Sequence, residues 1–353
     1  IEESCGAALN AIAGNRLTLY RHRKVQHFMD PALFDAAISS KTLEAMHQAV
    51  LQHIEMARDI LRQKARFLGR NGIWFFEREA PLPLPTVQTV DWLQAIEMVH
   101  KAFLSSYPAL AEYFKNMLER RWIESEARQY KRPGAFCTGS SLIGEQRVFM
   151  TYYGTLGDVS TLAHEVGHAW HDHLMKDMRP YARRFPMTLA ETASIFTEQL
   201  LIDRLHKDPN IDDRQKLALL DTELTEAAVF LLDITTRFSF EKKFYEERQE
   251  GEVSISRLKA IMTETQRNIY GDALLANGED PYFWASKLHF FITDISFYNF
   301  PYTFGYLLAR ALHDRFRLIG DKFIPEYESF LRISGNGSVE DVCKSALKID
   351  ITN

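Results

Sequence analysis

Cysteine is scarce. Cys5, Cys137 and Cys343 are the only three in 353 residues. They are too few, too scattered and odd in number for a disulfide framework, so a reducing, cytoplasmic setting is expected. Positive charge is not in excess either. Forty-two Lys+Arg face 47 Asp+Glu, a formal charge of -5, which argues against a nucleic-acid partner because such proteins carry a basic stripe. The one basic run, Tyr20-Arg21-His22-Arg23-Lys24, reads as a solvated helix face. No window approaches 18 uninterrupted apolar residues, which excludes a membrane-spanning helix and argues against a membrane partner. The sequence shows neither a signal-like apolar stretch nor an Arg/Ser-rich leader, and it opens on Ile1 rather than Met, so it reads as a processed or truncated piece of a longer chain. Repeats, low-complexity tracts and linkers rich in Pro, Gly or Ser are also missing, and one α-rich unit spanning 1–353 is expected.

What is present is helical periodicity. With 46% hydrophobic and 25% charged residues the composition is that of a globular protein with a real core. From Pro31 to about Arg66 apolar residues recur at helical spacing, and the rhythm returns from Val90 to about Arg120. Between them Trp74-Phe75-Phe76 reads as a short strand, followed by extended chain through Pro81, Pro83 and Pro85. Ala135–Thr138 and Arg147–Tyr153 have strand character. Helices dominate thereafter. The expected fold is therefore mainly α with a small antiparallel sheet, a helical lead-in over 1–130 preceding a core over 131–353.

One motif carries chemistry. His164 and His168 stand at i and i+4 in Leu162-Ala-His-Glu-Val-Gly-His-Ala-Trp-His-Asp-His173, so on a helix both imidazoles leave one face about one turn apart. That spacing lets both reach one zinc at about 2.1 Å. Glu165, one residue further round, stands beside the metal, where it can take a proton from water. Thr155-Leu156-Gly157-Asp158 is a capping-box pattern that would start this helix. With 12 His and 27 Glu in the chain, chance supplies roughly 0.03 such motifs. A third ligand is required. His171 lies about 10.5 Å along the axis from His164, too far to join it, and reads as a residue behind the ligands or in the pocket wall. Glu191, in Thr188-Leu-Ala-Glu-Thr-Ala-Ser194, is placed to come from a second helix, though it also fits a capping box with Thr188. Glu198, two turns along, either orients a ligand histidine or, if Glu191 is only a cap, replaces it.

These residues resemble the thimet oligopeptidase superfamily of zinc metallopeptidases, and within it the oligoendopeptidase F branch. The likeness rests on His164-Glu-Val-Gly-His-Ala-Trp-His171 followed by Leu189-Ala-Glu-Thr-Ala-Ser-Ile-Phe-Thr-Glu198. It extends to Arg132-Pro-Gly-Ala-Phe-Cys137, where Pro133 and Cys137 depart from the branch's Arg-Ser-Gly-Ala-Tyr turn, to Val148–Leu156, and to Phe297-Tyr-Asn-Phe-Pro-Tyr-Thr-Phe-Gly305. The resemblance covers most of the chain but not the N-terminal helical lobe usual in the family. It implies a fold of the helical zincin type, one Zn2+ per chain held by His164, His168 and Glu191, Glu165 as general base, and Glu198 as the carboxylate behind a ligand. It further implies that Tyr298, Tyr302 and His289 take part in catalysis and that Gly134, Ala135, Tyr152 and Tyr306 contact substrate.

The function so implied is a cytoplasmic endopeptidase that cleaves internal bonds of short, unfolded oligopeptides. The segment Arg147–Tyr153 would pair with the extended substrate backbone as an added strand. A metallocarboxypeptidase on the same scaffold and an inactive peptide-binding module are the alternatives, the intact Glu165 speaking against the second. Self-association through a cleft wall left uncovered by the missing lobe, with aromatics among Trp74, Phe75 and Phe76 exposed on it, is a further expectation.

Overall fold

The computed structural model describes residues 1–84, 89–140 and 142–352. Helix dominates, and the only sheet among the described residues has three strands. Ile1–Pro83 forms one compact unit with Asp221–Thr303, and Leu84–Leu220 forms the other with Phe304–Asn353. The reason is packing between distant segments, which leaves no local signature. In the first unit, for example, the buried Asn10 side-chain amide donates to the Val253 carbonyl at 2.9 Å.

In the first unit the periodic run becomes three helices, Asp30–Asp35, Ser40–Gln52 and Ile54–Phe67. The first break falls at Ala37, whose φ is +52°, and Ser39 restarts the helix by accepting the Thr42 N–H at 3.2 Å. Trp74-Phe75-Phe76 is not a strand. Phe75–Glu77 is a 3-10 turn, because the Glu77 carboxylate accepts the Trp74 N–H at 3.0 Å and closes the segment on itself. Phe75 is buried, whereas Trp74 and Phe76 are exposed and stacked at 6.1 Å. Leu82–Leu84 follows without regular structure, and Pro85 lies outside the described residues. The basic run at Arg21–Lys24 is exposed, as expected.

In the second unit, Asp91 accepts the Gln94 N–H at 2.9 Å and Gln94 returns the bond at 3.0 Å, a capping box that starts the helix Trp92–Ser106. Pro108 opens Pro108–Glu119, where its missing N–H costs nothing. The sheet comprises β1 (Ile123–Glu124), β2 (Ala135–Ser140) and β3 (Glu145–Met150), in the order β1-β3-β2. β2 and β3 are antiparallel, with Ala135 opposite Met150 and Ser140 opposite Glu145, and β1 runs parallel to β3 at Val148 and Phe149. β3 ends at Met150, earlier than expected, and the Tyr152 hydroxyl beyond it donates to the Val90 carbonyl at 2.7 Å. This order corrects the expectation that Arg147–Tyr153 takes up a peptide strand. β3 is flanked on both sides, and the edges of the sheet are β1 and β2.

Against this sheet packs the helix Leu156–Leu174, and against that helix packs Met187–Lys207. Val159, Leu162, Ala163, Val166 and Ala169 of the first, and Leu189, Ala193, Phe196 and Leu200 of the second, are buried. Each large apolar side chain so removed from water contributes about 1.5–3 kcal/mol.

Candidate metal centre

The helix that carries His164 and His168 begins as its sequence requires. Thr155 Oγ1 accepts the Asp158 N–H at 3.0 Å, and the Asp158 carboxylate accepts the Thr155 N–H at 2.9 Å. Downstream, Trp170 donates its indole N–H to the Tyr107 hydroxyl at 3.0 Å, which itself donates to Glu328 at 2.7 Å. The helix is thereby fixed in rotation, with both imidazoles on one half-buried face, their ring centroids 4.9 Å apart.

Glu191 sits on the Met187–Lys207 helix. That helix is capped by Pro186 without a side-chain bond, so Glu191 is not the partner of a capping box with Thr188. Its Oε2 instead lies 3.2 Å from His164 Nε2 and 3.5 Å from His168 Nε2. Donors about 2.1 Å from a tetrahedral zinc are separated by about 3.4 Å. The trio therefore matches the spacing of three zinc ligands, and its two imidazoles and one carboxylate are a zinc donor set. Ligand atoms of His164, His168 and Glu191 form the one such metal-sized group among the described residues.

Around this trio the hydrogen bonds select atoms. His164 Nδ1 faces Glu198 Oε2 at 3.3 Å, and Glu198 Oε1 accepts the Ser160 hydroxyl at 2.6 Å. With Nδ1–H given to Glu198, His164 turns Nε2 toward Glu191. Ser194 donates to Glu191 Oε2 at 3.0 Å. Electrostatics follow from these contacts. Burial disfavours a charged His164, but the Glu191 and Glu198 carboxylates outweigh it and hold its pKa well above the usual value. Burial and the His164 charge push His168 down to about 4. Glu191 is held near 2, its burial overcome by the hydrogen bond from His164 and the charges of both histidines. Glu165 is buried with Oε2 lacking any hydrogen-bond partner, and burial pushes its carboxyl up to about 7, His164 opposing and Glu191 adding to the rise.

The other expected residues are placed as follows. His171 is fully buried, its Nε2 2.9 Å from Ser334 Oγ and its ring stacked on Phe185, so it bonds to neither ligand imidazole and does not stand behind them as expected. Spacing alone leaves it on the face of His164 and His168, and it is Phe185 and Ser334 that enclose it. Gly134 and Ala135 lead into β2, Gly134 exposed with φ +101°. Tyr152 is half-buried against Trp92. Tyr306 is half-buried on the helix Phe300–Ile319. Within the first unit, His289, Tyr298 and Tyr302 form one aromatic cluster, with centroids 5.7 Å (His289–Tyr298), 6.0 Å (His289–Tyr302) and 5.4 Å (Tyr298–Tyr302) apart. Burial, with Arg237 and Lys287 nearby, lowers the His289 pKa.

Sequence reasoning missed two glycines. A Cβ on Gly167 would stand 2.6 Å from Ser194 Cα and 2.7 Å from the Ala193 carbonyl, so only glycine lets the two helices that carry the imidazoles and Glu191 meet this closely. Thr197 bonds across the same contact, donating to the Ala163 carbonyl at 2.9 Å. A Cβ on Gly305 would lie 3.3 Å from Glu191 Cβ. The small residues Ala193, Ser194 and Thr197 on one face were the available signal.

Comparison with known proteins bears on the family and the fold. The family model described as peptidase family M3 matches residues 85–351. The chain is 26% identical over 327 residues to the oligoendopeptidase F homolog of Lactococcus lactis subsp. lactis, covering 91% of this chain and 53% of that protein. It thus spans about half the length of the curated relatives it matches. Among solved structures, one from Chlamydophila abortus superposes over 100% of this chain and 58% of its own with a TM-score of 0.85 at 21% identity. The oligoendopeptidase-F of Enterococcus faecium does so over 100% and 57%, with a TM-score of 0.69 at 18% identity. At these identities the structures speak for the fold.

Proposed function

The chain belongs to peptidase family M3, and from that premise we propose that it is a zinc-dependent endopeptidase acting on internal bonds of short, unfolded oligopeptides. The observation that carries the reading is the placement of Glu191 Oε2 at 3.2 and 3.5 Å from the two Nε2 atoms, beside a buried Glu165 carboxylate with a free oxygen.

His164, His168 and Glu191 would hold the ion, with Glu198 fixing the His164 tautomer. Bound zinc supplies Lewis-acid polarisation of water and of the scissile carbonyl. Glu165 takes the proton of the attacking water on Oε2 and returns it to the leaving amine, the two roles a single carboxyl near neutral pKa can fill. To Tyr298 and Tyr302 we assign the role their resemblance implies, hydroxyl donors to the carbonyl oxygen as it gains charge, with His289 packed against both rings. The substrate backbone is assigned to the edge of β2, with Gly134 and Ala135 at its start, since main-chain pairing tolerates many side chains. Tyr152 and Tyr306 are assigned to substrate contact on resemblance. A cytoplasmic site of action is part of the same proposal. No helix among the described residues is long and apolar enough to cross a membrane.

Incubation of the zinc-loaded chain with a mixed peptide library, read by mass spectrometry, tests this. Internal cuts are expected. Trimming from C-termini alone would point to a carboxypeptidase, and an untouched library to a peptide-binding module.

A further inference from the structure

Two buried charged groups, far apart in sequence, converge on the segment between His289 and Tyr302. Glu241, on the helix Ile234–Arg248, is 4% exposed. Its Oε1 accepts the Phe297 N–H at 2.9 Å and its Oε2 accepts the Asn299 side-chain amide at 2.7 Å. Arg16, on the helix Glu2–His22, is 8% exposed and donates to the Ile295 carbonyl at 2.5 Å, to the Ile292 carbonyl and to the Tyr245 hydroxyl at 2.8 Å. Asn299, fully buried, accepts the Phe300 N–H at 2.6 Å through Oδ1. Inside this clamp Phe297 holds φ at +54°, a region costly for a bulky residue unless its surroundings enforce it. The strained residue immediately precedes Tyr298. The Asn299 carbonyl accepts the Tyr302 N–H at 3.0 Å, so the same turn also starts the helix that carries Tyr302.

We propose that Glu241 is a positioning residue for the reaction: its two oxygens, with Arg16 holding the preceding carbonyls, fix the Phe297–Asn299 turn in the conformation that presents the Tyr298 and Tyr302 hydroxyls. This rests on the reading of those tyrosines as donors to the carbonyl oxygen. A buried carboxylate is a costly way to fill space, and an apolar side chain would pack there without that cost. What the carboxylate adds is direction, two acceptors aimed at two donors on either side of Tyr298. Burial pushes its pKa up to about 7, against the pull of the Phe297 amide, Arg16 and Asn299.

Glu241→Gln is nearly isosteric, but its NH2 faces one of the two donors. Amide hydrogen exchange read by mass spectrometry should speed up at least about tenfold across residues 292–300, with the Leu156–Leu174 helix unchanged. On one short fluorogenic peptide, kcat should fall about tenfold or more with KM within about twofold and zinc content intact. In a Tyr298→Phe/Tyr302→Phe background the same substitution should cost less than about threefold, because both hydroxyls it positions are already gone. Asn299→Ala, which removes the Oε2 partner, should reproduce the exchange and kcat effects if Glu241→Gln folds poorly. Unchanged exchange in both variants, or an equal kcat loss in both backgrounds, would overturn the proposal. If Tyr298→Phe and Tyr302→Phe themselves leave kcat unchanged, the reading of the tyrosines fails and the catalytic role of Glu241 with it; faster exchange would then show a clamp without that role.

Discussion

Glu165 and Glu191 are both carboxylates beside the same pair of imidazoles, yet their surroundings drive them apart. Glu191 Oε2 faces both Nε2 atoms and is held near pKa 2, whereas Glu165 Oε2 has no partner and burial lifts its carboxyl to about 7. The first is suited to bind a cation and the second to carry a proton. Glu165→Gln should therefore keep the fold and the metal while lowering kcat by at least about 10²–10⁴-fold. Turnover within a few-fold of the parent would remove Glu165 from the mechanism. Gly167 sets the distance between the two ligand sources, since a methyl group there meets Ser194 Cα at 2.6 Å. Gly167→Ala should cost about 1–3 kcal/mol of stability through overpacking and weaken zinc binding by moving Glu191 away from the imidazoles. A competitive chelator titration that finds parental affinity would show that the helices yield without moving the ligands.

At the scale of elements, the clearest local signals match what the chain does. The Thr155/Asp158 box starts the ligand helix, and its cap is remote from the ligands, so Thr155→Ala should lower stability by about 0.5–2 kcal/mol in thermal or urea unfolding and leave zinc stoichiometry at one. A lost zinc site in that variant would show the helix start to be coupled to the ligands. The i,i+4 histidines and the existence of a second carboxylate-bearing helix were legible for the same reason, that both depend on spacing within one helix. What was not legible depends on contacts between elements. Trp74–Phe76 has strand-forming residues, but Glu77 closes it into a turn. β3 has strand character, yet nothing within it tells that β1 and β2 occupy both its sides and become the edges. His171 shares the periodicity of the ligand face, and only the packing of Phe185 and Ser334 reveals it as core. The Glu241–Phe297 bond joins positions 56 residues apart, beyond any local pattern.

For the molecule as a whole, two linked equilibria are open to measurement. The His47 ring stacks on Phe238 at 4.1 Å, its Nε2 is buried without a partner, and burial together with the Lys242 charge pushes its pKa down to about 4. Between pH 4 and the ordinary value of 6.5 the unfolded chain holds a proton that the folded chain excludes, so stability falls as pH drops through this window, by up to about 1.4 kcal/mol per unit for one such group. His47→Phe keeps a ring against Phe238 and should flatten the difference between unfolding free energies at pH 7 and pH 5. A slope equal to the parent's would place the proton elsewhere. The second is with the zinc proposed at His164, His168 and Glu191. Metal that binds only the folded chain adds about 2.7 kcal/mol at a hundred times its Kd, so chelation should lower Tm and added zinc restore it. The most direct test of the account is the zinc content of the chain and its variants, by plasma mass spectrometry after equilibration at fixed free zinc. One zinc per chain is predicted, lost in Glu191→Ala and retained in Glu165→Gln; undiminished zinc in Glu191→Ala, with loss in Glu198→Ala, would contradict it.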